Sequence, residues 1–131
     1  MTNTIVLDSS AILALLNDEP GANKVEAVLD HAIVGAANLA EIAAKLSEKG
    51  LGKKEVEEVL AVIHDVRPMT EEQALTAGAL RMPTRSIGLS LGDRACIALA
   101  MELGATAMTC DRAWTSIDPL IISGARVDLL R

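Results

Sequence analysis

The sequence predicts an α/β fold, a doubly wound and mainly parallel sheet with helices on its faces, and three observations carry that reading. Short β-branched runs alternate with segments of helical period along the whole chain. Glycine, proline and capping residues stand at the changes from one period to the other. Half of the 131 residues are apolar, with one Trp and no Phe or Tyr. An aliphatic composition of this kind suits close helix-sheet contacts in a single core, and the length is short for two ordinary domains.

The elements follow in order. Ile5, Val6 and Leu7 form an apolar β-branched run that ends at Asp8, and Ser9 and Ser10 offer N-caps for a helix over 11–16. Asp18 to Gly21 break that helix, and Val25, Val28 and Leu29 mark a second one ending near His31. Residues 33–36 read as a second strand. Asn38 then caps a helix with Leu39, Ile42, Ala43 and Leu46 on one face and Gly50 at its end. Residues 53–64 are a further helix, with Val56, Val59, Leu60 and Ile63 at helical spacing, and a short strand lies near Val66. Thr70 and Gln73 form a capping box that opens a helix to about Arg81. Residues 82–89 are a loop, Ser90 caps a helix to Leu103, and Gly104 closes it. Residues 105–109 are a strand, 111–115 a turn or short helix, and 125–129 a last strand. No repeat, low-complexity tract or linker interrupts the pattern.

Composition narrows the function classes. A net charge of −6 speaks against a chain that holds nucleic acid by its overall field, so any such role needs acids gathered around cations and local arginines facing the phosphates. Aromatic stacking is nearly ruled out as a binding device. Cys96 and Cys110 show no metal-ligand or redox spacing and read as reduced core thiols. No basic leader and no apolar run near the roughly 20 residues of a membrane span is visible, so a cytoplasmic location without membrane contact is expected.

In an open parallel sheet ligands bind beyond the carboxyl ends of the strands. Four acids fall at such places: Asp8 ends the first strand, Glu41 follows the second, Asp93 lies in the first turn of the Ser90 helix, and Asp111 follows the strand ending at Thr109. Each has a local explanation as well. Glu41 completes a capping box with Asn38 and stands four residues before Lys45. Asp93 suits the helix dipole, Asp111 caps the turn that follows it, and Asp8 suits an Asx-turn. None of these requires all four at one rim. Carboxylates gathered there repel one another unless hard divalent cations neutralise them, and an all-oxygen set without His or Cys points to Mg²⁺ or Mn²⁺. Ions held in this way suit phosphodiester hydrolysis by an activated water. Ser9, Asn38 and Thr109 are candidates to hold the ligands or the substrate. Arg94 and Arg112, each directly after a site acid, are candidates to touch phosphates or to screen the acids. His31 and His64 read as surface or packing residues, and Trp114 as core.

These residues resemble the PIN-domain nucleases and, among them, the VapC-type toxins of type II VapBC toxin-antitoxin modules. The segments that carry the resemblance are Val6 to Ala11, Asn38 to Glu41, Leu89 to Cys96 and Thr109 to Trp114. It implies a single PIN domain over 1–131, a three-layer sandwich with a mainly parallel sheet of about five strands. It also implies a metal-dependent endoribonuclease that cuts single-stranded or loop RNA, tRNA included, and inhibits translation. Asp8 and Asp93 would then bear most directly on Mg²⁺, with Glu41 and Asp111 completing the set. A homodimer and a cognate antitoxin are further implications. Three alternatives stand beside this reading. A phosphatase or receiver with Asp8 as covalent phosphate acceptor lacks support, because Ser10 stands where the phosphatases want a second Asp and no lysine follows Lys54. A housekeeping PIN nuclease without an antitoxin and a catalytically weak binding module keep the same four acids.

Overall fold

The computed structural model describes residues 3–131. Five strands form one all-parallel sheet in the order β3-β2-β1-β4-β5. They are β1 (Ile5–Leu7), β2 (Ile33–Gly35), β3 (Asp65–Arg67), β4 (Thr106–Thr109) and β5 (Arg126–Leu129). The α-helices are α1 (Ser9–Leu16), α2 (Ala22–Val28), α3 (Ala36–Glu48), α4 (Lys53–Leu60), α5 (Glu71–Ala79) and α6 (Leu91–Leu103), and a 3₁₀ segment, η1, spans Arg112–Ser116.

Alternation along β1 divides the core. Ile5 and Leu7 join Ala11 and Ile12 of α1, Val25 of α2, Ile42 and Leu46 of α3 and Val56 of α4 on one face. Val6, between them, packs on the other face with Cys96, Ile97 and Leu99 of α6 and with Trp114 of η1. A period of two sends successive side chains to opposite faces, so a fully buried strand must be apolar throughout. The result is the expected three-layer sandwich. Trp114 is buried, His31 and His64 are exposed, Cys96 is buried and Cys110 half-buried. Among the described residues no helix is long and apolar enough to cross a membrane.

Three boundaries differ from the sequence reading. The α1 N-cap is Asp8 itself, whose Oδ1 accepts the Ala11 N–H at 2.9 Å, in place of Ser9 or Ser10. Helix α3 begins at Ala36, with Gly35 as an N-cap that offers no side-chain bond, so Asn38 is its third residue and not its cap. Helix α4 stops at Leu60, and Ile63 reaches the core from the turn that follows. By contrast the Thr70–Gln73 box and the Ser90 cap form as read, and Asp93 completes a second box with Ser90, because each is a reciprocal local bond that needs no tertiary partner.

The topology fixes where ligands can gather. β1 leads through α1 to β2 on one side, whereas β4 leads through η1 to β5 on the other, so the chain diverges between β1 and β4 at their carboxyl ends. That crevice is the switch point of a doubly wound sheet. The register pairs Leu7 with Met108. The next residues, Asp8 and Thr109, therefore face each other across the crevice.

Candidate active site

Asp8 is the deepest of the four acids, only 2% exposed. Its Oδ1 accepts from the Ser10 hydroxyl at 2.7 Å and from the Ala11 N–H, and its Oδ2 accepts from the Thr109 hydroxyl at 2.6 Å. Burial nevertheless dominates these bonds and pushes its carboxyl up from the ordinary 3.8 to about 6, with the charge of Asp93 adding to the rise. Thr109 Oγ1 also accepts the Asp111 N–H at 3.0 Å, and Ser10 Oγ accepts the Cys110 N–H at 2.9 Å. The two hydroxyls thus tie the β1 and β4 termini into one polar lattice.

Glu41 lies in the second turn of α3, where that helix packs against both α1 and α6. Its Oε1 accepts from the Ser9 hydroxyl and from Asn38 Nδ2 at 3.0 Å. The same Asn38 amide reaches Ser9 Oγ at 3.2 Å and the Gly92 carbonyl at 3.1 Å. Asn38 is 1% exposed, and its amide is a clip across three helices. The carboxylate of Glu41 rests directly on Gly92, where a Cβ would overlap it. The local account of Glu41 therefore fails on both counts. Asn38 caps nothing, and Lys45 pairs with Glu48 at 3.7 Å.

Asp93 and Asp111 keep their local roles and add a shared one. Asp93 Oδ2 accepts the Ser90 N–H at 2.9 Å, and Asp111 Oδ1 accepts the Ala113 N–H at 2.9 Å. Burial raises the Asp93 carboxyl above its ordinary value, and the charges of Asp111 and Glu41 push the same way. All four acids therefore lie within electrostatic reach of the group. The described residues form five ion pairs, and none involves any of these four acids. Nor do any three His, Cys, Asp or Glu of the described residues stand close enough to chelate an ion as they are. The chemistry of the donor set still fits a hard divalent cation: oxygens only, with Asp8 buried and Glu41 and Asp93 partly so, and negative charge that no ion pair offsets among the described residues.

The remaining candidates divide. Ser9, Asn38 and Thr109 bond directly to site acids. Arg112 is exposed and in no ion pair among the described residues. Arg94 does not screen the cluster; its Nη1 donates to the Ala77 carbonyl at 2.9 Å and ties α6 to α5. Ser10 and Gly92 were not among the sequence candidates for the site. A serine two residues after a strand-end Asp is a usable signal for an Asx-type bond. The need for glycine at 92 depends on Glu41 arriving from another helix, which no local pattern shows.

The fold and the carboxylate cluster define a doubly wound α/β protein with an anionic oxygen site at its switch point. More particularly, the chain belongs to the PIN domain family, whose sequence profile matches residues 5–119. Among solved structures it is similar to a DNA-bound VapBC from Salmonella typhimurium, with a TM-score of 0.74, 15% identity and coverage of 99% of this chain and 100% of that one. A toxin-antitoxin complex from Klebsiella pneumoniae matches with a TM-score of 0.73, 15% identity and 98% of each chain. VapC20 of Mycobacterium tuberculosis, a toxin that cleaves the sarcin-ricin loop, matches with a TM-score of 0.70, 16% identity and 86% of this chain against 94% of that one. No curated protein matches by sequence.

Proposed function

We propose that this chain is a Mg²⁺-dependent endoribonuclease that serves as the toxin of a type II toxin-antitoxin module. It cuts single-stranded or loop RNA, tRNA included, and so inhibits translation. The observation that supports this reading is that Asp8, Glu41 and Asp111 each lie within electrostatic reach of Asp93, none of the four in an ion pair among the described residues, at the switch point of a PIN domain.

Asp8 and Asp93 are the firmest ligands for Mg²⁺ or Mn²⁺, with Asp111 and Glu41 completing the set. A cation held there supplies Lewis-acid stabilisation of phosphate charge and activates a water for attack. The side chains supply the rest. Ser10 and Thr109 fix both oxygens of Asp8, and Ser9 and Asn38 fix Glu41, so that these two carboxylates are held in place before a cation binds. Arg112 is available to a substrate phosphate. The Salmonella and Klebsiella neighbours are described as a VapBC and a toxin-antitoxin complex, which supports a cognate antitoxin here. A chain of net charge −6 suits a basic partner segment. A homodimer in the cytoplasm completes the reading.

Incubation of the purified protein with structured and unstructured RNAs, in Mg²⁺, Mn²⁺ or EDTA, tests it. Metal-dependent cleavage leaving 5′-phosphates is expected, with loss of cleavage in Asp93→Asn. Cleavage that continues in EDTA or in that variant overturns the assignment.

A further inference from the structure

We infer that the cleft between the 82–89 loop and η1 is a base-binding subsite for single-stranded RNA, with guanine as its preferred occupant. The inference rests on the nuclease reading above. The cleft holds about 520 Å³, within the range of small-ligand sites and ample for one nucleotide.

Its position follows from the site acids. On one wall Ala113 donates its N–H to Asp111. On the other, the segment holding Pro83, Ser86 and Ile87 runs within a few residues into Ser90, whose backbone N–H binds Asp93. Both walls therefore lead directly to the carboxylate cluster. On this inference the base of a nucleotide enters the cleft when its neighbouring phosphate lies at that cluster.

The lining and the nearby charges favour a nucleotide. Arg85 and Arg112 immediately precede the wall residues Ser86 and Ala113, and both are exposed and without an ion pair among the described residues. Neither guanidinium lines the cleft itself, but in a chain of net charge −6 two exposed arginines whose neighbours in sequence form its walls are candidates for the phosphates of a strand that passes it. Pro83, Ile87 and Ile121 give a base apolar surface, in a protein with no Phe or Tyr and with its Trp buried. At the polar edge the Asp118 carboxylate accepts the Leu120 N–H through Oδ1 at 2.9 Å. Its remaining acceptor capacity matches the adjacent N1–H and N2–H donors of guanine, a pairing that no other base offers.

Fluorescence anisotropy tests this with a labelled oligouridylate and the same strand carrying one central guanosine. The protein carries Asp93→Asn and Mg²⁺ is present, so that binding is read without turnover. The guanosine strand should bind about tenfold tighter, as one good polar contact allows. Asp118→Asn should abolish that preference, and Ser116→Trp, which fills the cleft from an exposed position, should weaken both strands about tenfold. Lys53→Glu, on distant α4, should change neither. Affinities within about twofold of the parent in both cleft variants overturn the inference. So does a Ser116→Trp protein whose sedimentation changes while its RNA affinity does not, since the cleft would then be an interface between copies. If the cleft variants have no effect while metal-dependent cleavage persists in the protein with Asp93 intact, the subsite alone falls. If RNA is neither bound nor cleaved, the nuclease reading falls with it.

Discussion

A glycine and a carboxylate illustrate how single residues set this site. Gly92 has no Cβ, and the Glu41 carboxylate occupies the space where one would be. Gly92→Ala should therefore displace Glu41 while α6 keeps its helical geometry. A loss of roughly a hundredfold in kcat is expected, because displacements of about 1 Å at a reacting centre carry that magnitude. Retained far-UV circular dichroism with near-normal cleavage would overturn the role given to the contact. Asp8 makes stability depend on pH. Its folded pKa of about 6 lies above the ordinary 3.8, so the folded state holds the proton more tightly than the unfolded chain. The stability this contributes is complete below about pH 4 and is lost as pH rises through about 6. In EDTA the protein should be more stable at pH 5 than at pH 7 by about 1 kcal/mol, read as a higher melting temperature, with Asp93 acting in the same direction. Asp8→Asn should flatten that difference.

At the scale of elements, what was legible depended on whether a signal was local. Ser90 with Asp93 and Thr70 with Gln73 bind within their own first turns, and both helix starts were readable from residue type and spacing. Ser90→Ala should cost about 1 kcal/mol in urea unfolding and should also lower cleavage, because the Ser90 cap holds Asp93 within the first turn of α6. Loss of stability with unchanged activity would separate the two roles. Helix α3 was misread for a physical reason. Its cap, Gly35, has no side chain to announce it, whereas Asn38 is a favoured cap type two residues into the helix. The burial of Asn38 is decided by Ser9 on α1 and Gly92 on α6, far away in sequence. The screening role open to Arg94 fails for a related reason. Its neighbour in sequence is Asp93, but its neighbour in space is the end of α5.

For the whole molecule, sheet order decides which of the scattered acids come within electrostatic reach of one another. The β1-β4 pairing brings Asp8 to Thr109, and the packing of α3 and α6 around that crevice brings in Glu41 and Asp93. If the cluster holds a divalent cation, Mg²⁺ must stabilise the folded chain by mass action. At about a hundred times its Kd the gain is about 2.7 kcal/mol. A rise in melting temperature with Mg²⁺, absent in Asp8→Asn with Asp93→Asn, is the expected result. An unchanged melting temperature across millimolar Mg²⁺ would count against the metal site.

Four acids stand at strand ends and helix starts, in a chain whose strand and helix periods alternate. Those features belonged to the sequence by itself, because strand period, helix period and capping chemistry act over a few residues. The strand order β3-β2-β1-β4-β5, the inclusion of Gly92 and Ser10, and the clip formed by Asn38 belonged to tertiary structure alone. Each depends on contacts between elements that are remote in sequence, and only the packed core holds those elements together.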